Sequence, residues 1–589
     1  MLRLAVKILL LFSLILFTLF LCIFLFTLQN AFLFLTILTG CAAGSSLLAL
    51  RPPVRKERAK RKDPSPLPGV ESCDVWLYAG AGTLHVPWYN AVCKEIGPCR
   101  LVDAIEAEVS ARVLILPEGT VLREREMETV SGWLEVGGCL LCECPGESLA
   151  PLFGMSPTGE RRNCSREMFG ERRLDLKGAS LILYGGLIPG EREGGLCYER
   201  EKGEGRIFVL ALEYGKWALG ITQGIPNRTG WKFRKTWDWS IQGIQTSDLR
   251  TDRPPPYAFA PALDLFDQVL WGWVRDRAKI PGWWYYPDSK PGAFILTFDE
   301  DWFGKKARTL DGKRIPATWF VVDDSDMDRE TVESLQSRND SVQFHWNRFF
   351  LHFNKFGPHL CLRKVQDQLE RIQANLGCRP RVCRIHYLMW DSDFDELFYV
   401  MKDAGIQIDS SFGPGRGQHG YRFGTGFPYA VSDSRGGAIG ILEVPFQIHE
   451  PMGRASEEDL IRLLRDSEGL YHTAIVGLFH PYYCLEGSRG HGSYRAVLRY
   501  LEDANLWSTD LEGWVDFWRR RNQSEMVSSY KEGELVIEAR ASGKEKMTVR
   551  FPDWRRIEEL YVGGLECSPL EKTVLEEGRH TIRVRYMKE

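Results

Sequence analysis

Four apolar, strand-like runs in this sequence end in residues that could do chemistry. They read AFILTFDED (293–301), SVQFH (341–345), RVCRIHY (381–387) and AIVGLFHP (474–481). A single histidine at the end of a strand is usually structural, but four such endings within one region indicate a functional site. In barrel-type enzymes the functional groups gather at the carboxyl ends of the strands. We therefore expect these ionisable side chains to meet.

The segment VQFHWNRFFLH (342–352) raises the first question about this site. It carries His345 and His352 beside Trp346, Asn347 and Arg348. On a helix their H-x6-H spacing would separate the two rings by about 10 Å along the axis. That is too far for both to bind one ion, unless the backbone is irregular.

The strand-like runs of residues 291–520 alternate with amphipathic, helix-like segments such as LRKVQDQLERIQANLG and DFDELFYVMKDAG. This alternation predicts a closed or nearly closed β/α barrel. Residues 525–589 contain only strand-like runs and predict a small β-sandwich. A Trp- and Pro-rich connector, 231–290, precedes the barrel, and its cluster WGWVRDRAKIPGWWYY could either fill a core or stack on sugars.

The composition is that of folded, soluble domains joined to an apolar start. Of 589 residues, 44% are apolar and 26% charged, and the net charge of −3 excludes a global field that would recruit nucleic acid. Residues 9–28 and 31–50 are each apolar over about the length that spans a bilayer. Residues 1–50 therefore predict a transmembrane hairpin, and 51–70 a basic, Pro-rich linker.

Two arrangements at the membrane stay open. Basic residues on both sides of the hairpin favour both ends in the cytoplasm. The LTGC segment ending at Cys41, however, is similar to the lipobox of bacterial lipoproteins, which would place an acylated chain outside the cell. Either way we expect attachment to a bacterial cell membrane.

Residues 71–230 predict a parallel α/β sheet, from runs such as CDVWLYAG, ARVLILPEG and CLLCEC. This part weakly resembles the flavodoxin-type domains related to glutamine amidotransferases. Active members of that family need a cysteine on a tight strand-to-helix turn. Cys139 and Cys144 lack that setting, so we expect a non-catalytic accessory domain. The predicted fold class is thus α/β: a membrane-anchored, multidomain chain with a flavodoxin-like domain, a distorted barrel and a small β domain.

Residues 291–520 resemble the polysaccharide deacetylase (NodB-homology) family. LTFDED is similar to the family's TFDDG block, PATWFVV to its next strand, and FHWNRFFLH to its HSxxH block. CRIHY and GLFHP are similar to the RxPY block and the final histidine block, all in the same order. The resemblance implies metal-dependent removal of N- or O-acetyl groups from a carbohydrate, with a divalent metal, commonly zinc, as cofactor.

The resemblance also implies roles. Asp299 would be the general base, Arg384 would orient it, and His480 would be the general acid. Asp301, His345 and His352 would bind the metal, with three alternates: Glu300, His386 and Asn347. Asp301 is preferred to Glu300 because residues 299 and 301 of a strand point to the same side. The residues expected to contact substrate are His386, Tyr387, Trp346, Arg416 and Tyr421.

Two other functions stay open. The family's H-x3-H spacing is replaced by H-x6-H, and its second Asp by Glu300. These departures are compatible with a catalytically degenerate protein that binds glycan or scaffolds a polysaccharide-handling system. A small-amide amidohydrolase is the other alternative. The partners expected are the membrane and a carbohydrate, without nucleic acid.

Overall fold

The protein is described by a computed structural model. The residues that it describes are 65–105, 108–164, 166–169, 172–176, 179–187, 194–223, 244–245, 260–301, 310, 315–347, 358–390, 394–433, 435–450 and 456–588. The predicted hairpin of residues 1–50, Cys41, most of the linker and His352 lie outside these residues. Among the helices that are described, none combines the length and the apolar character needed to cross a bilayer.

The N-terminal region is an α/β layer built on a six-stranded sheet. The strands of this region are β1 (Val75–Tyr78), β2 (Arg100–Val102), β3 (Val113–Leu116), β4 (Cys139–Glu143), β5 (Ser156–Asn163), β6 (Arg166–Phe169), β7 (Arg172–Asp175), β8 (Ser180–Gly185), β9 (Cys197–Lys202) and β10 (Gly205–Leu210). Of these, β5 pairs with β8 and β6 with β7, outside the six-stranded sheet. Its helices are α1 (His85–Glu95), α2 (Glu124–Glu135), α3 (Ala150–Phe153) and α4 (Tyr214–Thr222). The sheet order is β2-β1-β3-β4-β10-β9, parallel except for β9, which is one of the common doubly wound orders.

The segment that leads into the barrel contributes β11 (Ile244–Gln245), α5 (Ala262–Ala278) and β12 (Gly282–Trp283). Its aromatic cluster fills the core: Trp271, Trp283, Tyr285 and Tyr286 are all fully buried. Tyr286 stacks on Trp514 with ring centroids 5.4 Å apart. These rings therefore join the layers of the molecule and offer no stacking surface to a sugar.

The central region is a curved, mostly parallel sheet of ten strands surrounded by helices. Its strands are β13 (Ala293–Glu300), β14 (Ala317–Val321), β15 (Ser341–Trp346), β16 (Val382–Ile385), β17 (Met389–Trp390), β18 (Ile408–Asp409), β19 (Tyr429–Ser432), β20 (Ala438–Glu443), β21 (Ile448–His449), β22 (Ala474–Phe479) and β23 (Trp507–Thr509); β17 pairs with β11 outside the sheet. Its helices are α6 (Arg329–Gln336), α7 (Pro358–Leu376), α8 (Phe394–Asp403), α9 (Glu457–Asp466), α10 (Pro481–Cys484), α11 (His491–Asp503) and α12 (Leu511–Gln523).

The curvature of this sheet brings its two edges towards each other. The order is β19-β20-β18-β16-β15-β14-β13-β22-β21, and β23 adds to β13. Residues 444–447 alone connect β20, next to one edge, with β21 at the other. Strands β13, β14 and β22 are buried along their whole length, as expected of strands covered on both faces. The result is a mixed α/β fold with a half-barrel sheet, consistent with the predicted distorted barrel.

The C-terminal region consists of two packed antiparallel sheets. Its strands are β24 (Met526–Lys531), β25 (Glu534–Ala541), β26 (Met547–Arg550), β27 (Ile557–Val562), β28 (Leu565–Cys567), β29 (Lys572–Leu575) and β30 (Gly578–Tyr586). One sheet has the order β24-β25-β30-β27-β28, and the other the order β12-β26-β29. Because β12 belongs to the segment before the barrel, this region is built around Trp283, which lies in its core.

Buried polar contacts tie the three regions together. The guanidinium of Arg521, on α12, donates to the main-chain oxygens of Cys93, Lys94, Trp283 and Trp284. Asp74, next to β1, accepts hydrogen bonds from the backbone N–H and the hydroxyl of Ser528 on β24 (3.0 and 2.6 Å). Since buried polar groups need partners, each region supplies groups that another region requires.

Candidate metal centre and its acid and base

Neighbouring parallel strands carry the candidate residues to one end of the curved sheet. Asp301 directly follows β13, His345 lies near the end of β15, and Arg384 lies on β16. His386 begins a short 3₁₀ turn after β16, and His480 directly follows β22. Because β22, β13, β14, β15 and β16 are consecutive neighbours, their carboxyl ends form one rim.

Asp301, His345 and His386 form a cluster whose donor atoms all lie within 4.8 Å of one another. The Oδ1 atom of Asp301 lies 3.3 Å from Nε2 of His345 and 3.3 Å from Nε2 of His386. The same Oδ1 atom is buried and has no hydrogen-bond partner among the described residues. One carboxylate and two imidazoles are a common donor set for zinc and related divalent ions.

The outer nitrogens of both imidazoles fix which nitrogen can bind an ion. Nδ1 of His345 lies 3.0 Å from the main-chain oxygen of Arg384, which can only accept a hydrogen bond. Nδ1 of His386 lies 3.5 Å from Oδ1 of Asn347. With the proton on Nδ1, each neutral ring turns the lone pair of Nε2 towards Asp301. This outer contact is the usual arrangement around metal-binding histidines, so the residues fit a divalent cation.

Electrostatics around the cluster favour an ionised Asp301 and a neutral His386. Burial opposes ionisation of Asp301, but the proximity of His345, His386 and the cationic His480 outweighs it and holds the pKa of its carboxyl well below the usual range. Burial lowers the pKa of His386, and Asp301 only partly offsets this. An ionised carboxylate and a neutral imidazole are both suitable ligands for a cation.

The alternates for the metal site separate clearly. Glu300 is buried, and its carboxylate accepts a hydrogen bond from the hydroxyl of Ser325. Asn347 lies beside His386, with its Oδ1 atom 3.5 Å from Nδ1 of that ring. His386 completes the candidate cluster, in the position for which the sequence first predicts His352. His352 itself lies outside the described residues, so its role stays a prediction.

Asp299 is held by a fixed arginine. Nη1 of Arg384 donates to Oδ1 of Asp299 (2.8 Å) and to the hydroxyl of Thr297 (2.7 Å), while Nε donates to the main-chain oxygen of Ser410 (2.7 Å). The second carboxylate oxygen of Asp299 lies 3.9 Å from Nε2 of His345. Burial raises the pKa of Asp299, but Arg384 and the neighbouring histidines lower it below its usual value. Asp299 is thus an ionised base at the border of the cluster.

His480 is paired with an acid that the sequence analysis did not identify. Nδ1 of His480 lies 2.9 Å from Oε2 of Glu450, and the same oxygen accepts a hydrogen bond from the backbone N–H of His480 (2.8 Å). Nε2 of His480 lies 3.8 Å from Oδ2 of Asp301. Burial lowers the pKa of His480, but Glu450 and the two aspartates raise it to about 9. A protonated imidazole therefore borders the cluster.

Glu450 could have been found from the sequence. It directly follows β21 in the segment EVPFQIHEP, so it obeys the strand-end rule that marked the other site residues. Its partner is not local, however. Glu450 and His480 meet because β21 and β22 are paired in parallel. That pairing is a long-range property that the local sequence pattern does not show.

The backbone after His386 adopts a conformation that non-glycine residues avoid. Tyr387 and Leu388 have φ values of 59° and 52°. Such conformations persist where the surroundings impose them, often at functional sites. Here the turn keeps His386 in the cluster and leaves the ring of Tyr387 42% exposed, with its centroid 4.2 Å from that of His386. Tyr387 is therefore accessible at the surface, and its contact with a substrate stays a prediction.

Two residues predicted to contact substrate are instead part of the core. Trp346 is fully buried and packs within the barrel core. Tyr421 is 1% exposed, and its hydroxyl contacts that of Thr473 at 2.5 Å. These two predictions are corrected. Trp346 follows His345 on a strand, so its side chain points to the opposite face.

Arg416 lies at the surface beside the acid pair. Its guanidinium donates to the hydroxyl of Tyr483 (2.9 Å) and lies 3.6 Å from Oε1 of Glu450. Its contact with a substrate stays a prediction. His386, which the sequence predicts both as an alternate metal ligand and as a substrate contact, lies in the candidate cluster, and its contact with substrate stays a prediction.

Comparisons with known proteins give structural similarity at low sequence identity. No family model and no curated protein matches the chain. The solved structure of Agd3, a carbohydrate deacetylase, is 8% identical, covers 88% of this chain and 99% of its own, and has a TM-score of 0.36. A family 4 carbohydrate esterase from Streptomyces lividans is 16% identical over 38% of this chain and 93% of its own, with a TM-score of 0.26.

The peptidoglycan deacetylase PdaC from Bacillus subtilis is 13% identical, covers 39% of this chain and 95% of its own, and has a TM-score of 0.26. Because these TM-scores are all below 0.5, the function of this chain has to be inferred from its own site. The predicted resemblance of residues 71–230 to glutamine-amidotransferase-like domains receives no support from these comparisons and stays a prediction.

Proposed function

We propose that this chain is a metal-dependent hydrolase that removes acetyl groups from a carbohydrate. The observation that carries the proposal is one rim on which a candidate metal cluster lies between an ionised base and a protonated acid. Asp299 borders the cluster at 3.9 Å from His345, and His480 borders it at 3.8 Å from Asp301. Acyl transfer to water needs these three functions close together.

The cluster supplies the binding site for the cation. Asp301, His345 and His386 would hold one divalent ion, with zinc the best match to the donor set. Such an ion would polarise the acyl carbonyl and lower the pKa of the attacking water. Asn347 supports this site from outside, because its side-chain oxygen faces Nδ1 of His386 and holds that ring in place.

The two flanking residues move protons. Asp299 is ionised and takes the proton of the attacking water, while Arg384 keeps its carboxylate in one orientation. His480 is protonated at neutral pH and can give its proton to the leaving nitrogen or oxygen. An amine leaves as a neutral molecule only when it is protonated, so an acid with a raised pKa suits N-deacetylation. Glu450 holds His480 from behind, at Nδ1, so that Nε2 faces the cluster.

The carbohydrate nature of the substrate is supported by the ordered resemblance of residues 291–520 to polysaccharide deacetylases. A site with a complete base, acid and donor cluster favours turnover over the non-catalytic glycan-binding alternative. The small-amide alternative has no specific observation in its favour.

Metal content tests the proposal directly. Elemental analysis of the full-length chain, solubilised in a mild detergent, should give about one divalent ion per chain. Asp301→Ala, His345→Ala and His386→Ala should each lose it. His491→Ala is the matched control, because its ring contacts the main-chain oxygen of Cys484, away from the cluster. His352→Ala, measured beside them, decides whether that residue adds a ligand.

Activity gives the second measurement. The loaded protein should release acetate from acetylated amino-sugar oligomers, and Asp299→Asn should abolish this release without losing the ion. A wild-type protein that binds no ion after reloading with zinc would overturn the hydrolase. An ion without acetate release from any acetylated sugar would leave the small-amide reading in front.

A further inference from the structure

His449 is a histidine at the acid side of the site that the reaction above does not use. It ends β21 and is next to Glu450. Its ring lies almost parallel to that of His480, at 19° and with centroids 6.5 Å apart, and meets the ring of Phe446 edge-on at 5.7 Å. The residue is 7% exposed, so it is largely but not completely buried.

The protonation of this ring follows from its contacts. Nδ1 of His449 lies 3.2 Å from the main-chain oxygen of Pro414, which can only accept a hydrogen bond, so Nδ1 carries a proton. Burial lowers the pKa of His449 to about 4, and the nearby charge of His480 acts in the same direction, against Glu450. The ring is therefore neutral at physiological pH, and Nε2 has a lone pair but no proton.

Among the described residues, the hydrogen bond of the His449 ring is the one from Nδ1 to Pro414, and none is made by Nε2. A neutral imidazole with a fixed Nδ1 proton offers an acceptor at Nε2 and nothing else. It does not attract an anion, and it can satisfy a hydroxyl or an N–H group. Its ring centroid lies 6.5 Å from that of His480, the imidazole that would protonate the leaving group.

We propose that Nε2 of His449 accepts a hydrogen bond from a hydroxyl group of the substrate, next to the acetyl-bearing atom. This inference rests on the proposed function, because it takes His480 as the group nearest to the leaving atom. His449 is then a binding residue that favours a polyhydroxylated substrate over a simple amide. A ligand that lacks the hydroxyl leaves this buried acceptor unpaired, which disfavours it.

Binding measurements test the inference without turnover. Isothermal titration of the zinc-loaded, full-length Asp299→Asn protein uses tetramers of N-acetylglucosamine and of N-acetylgalactosamine as probes. Adding His449→Phe should weaken binding about five- to tenfold, the effect of one lost hydrogen bond. His449→Asn, whose amide oxygen is also an acceptor, should recover part of it. His580→Phe on β30 is the control for the same change elsewhere.

A substrate analogue separates the hydrogen bond from a general packing effect. With tetramers in which the hydroxyl next to the acetamido group is replaced by hydrogen, His449→Phe should cause no further loss, because the two changes remove the same interaction. Equal affinity of the parent and His449→Phe for both intact probes would overturn the inference. So would a parent that binds neither probe.

Acetate release is measured in parallel on the chain that retains Asp299. If His449→Phe does not weaken binding but the protein still releases acetate, the inference is wrong and the proposed function stands. If binding depends on His449 but no acetate is released, the proposed function is wrong and the binding role of His449 stands. The two failures are therefore distinguishable.

Discussion

Glu450 and His480 contact each other twice, since one carboxylate oxygen of Glu450 lies 2.9 Å from Nδ1 of His480 and also accepts its backbone N–H at 2.8 Å. The backbone contact fixes the carboxylate relative to the chain that carries the imidazole. The side-chain contact then sets the charge and the orientation of the ring. Glu450 is thus a positioning residue for the acid, because it acts through His480.

We expect Glu450→Gln to move the alkaline limit of activity to lower pH. Activity that needs protonated His480 falls as the pH rises through the pKa of that imidazole, which is raised to about 9 in the presence of Glu450. Removing the negative charge of Glu450 lowers the pKa of His480, so the alkaline limb of the kcat/KM profile shifts to lower pH. The profile from pH 6 to 10 measures it, with Glu559→Gln on β27 as control. An unmoved alkaline limb would contradict the role given to Glu450.

We expect Arg384→Lys to lower kcat by about 100-fold with a much smaller change in KM, since a small misplacement of a catalytic group has this effect. Lysine has one donor nitrogen and cannot hold Asp299, Thr297 and Ser410 together as the guanidinium does. Steady-state kinetics measure both constants. A rise in KM with kcat unchanged would mean that Arg384 binds substrate and does not orient the base.

We expect Trp346→Ala to lower the free energy of unfolding by about 3–5 kcal/mol, the cost of removing a large buried ring. Trp346→Phe should cost much less, because it keeps an aromatic ring in the core. Urea unfolding measures both. A raised KM with an unchanged free energy of unfolding would instead restore the interpretation of Trp346 as a residue that contacts substrate.

The site shows how far local sequence patterns reach. Strand ends mark Asp299, Asp301, His345, Arg384 and His480, because the rule depends only on where an apolar run stops. The same alternation of a strand that separates Asp301 from Glu300 would also have placed Trp346 on the face opposite His345.

The rest of the site depends on geometry that no local pattern contains. His386 reaches the cluster through a turn in which Tyr387 and Leu388 have positive φ, a conformation for which neither residue type is a signal. Glu450 reaches His480 only after β21 has paired with β22. The burial of Tyr421 likewise follows from packing against residues distant in sequence, such as Thr473.

We expect Asp74→Asn to change how the stability of the protein depends on pH. Burial raises the pKa of Asp74 to about 6, although the contacts with Ser528 oppose this. The folded state thus binds this proton more tightly than the unfolded chain does, and the free energy of unfolding falls as the pH rises from about 4 to about 6. For a shift of about two units the fall is about 3 kcal/mol.

Asparagine cannot ionise and can still form both contacts with Ser528, so the variant should lack this fall. Urea unfolding at pH 4.5 and pH 7 compares the two proteins, and the difference between them isolates the one group. A parallel pH dependence in both would show that Asp74 is already charged across this range.

The buried guanidinium of Arg521 has a consequence for the order in which the chain is made. Its acceptors are the main-chain oxygens of residues 93, 94, 283 and 284, all synthesised long before it. During synthesis on the ribosome, these main-chain oxygens therefore lack their hydrogen bonds to Arg521 until α12 has emerged. A gene fragment that stops before residue 521 would leave these main-chain oxygens without their donor, and one that starts at the barrel would leave the Arg521 guanidinium without its four main-chain acceptors. We therefore expect the three regions to fold stably only when they are expressed together.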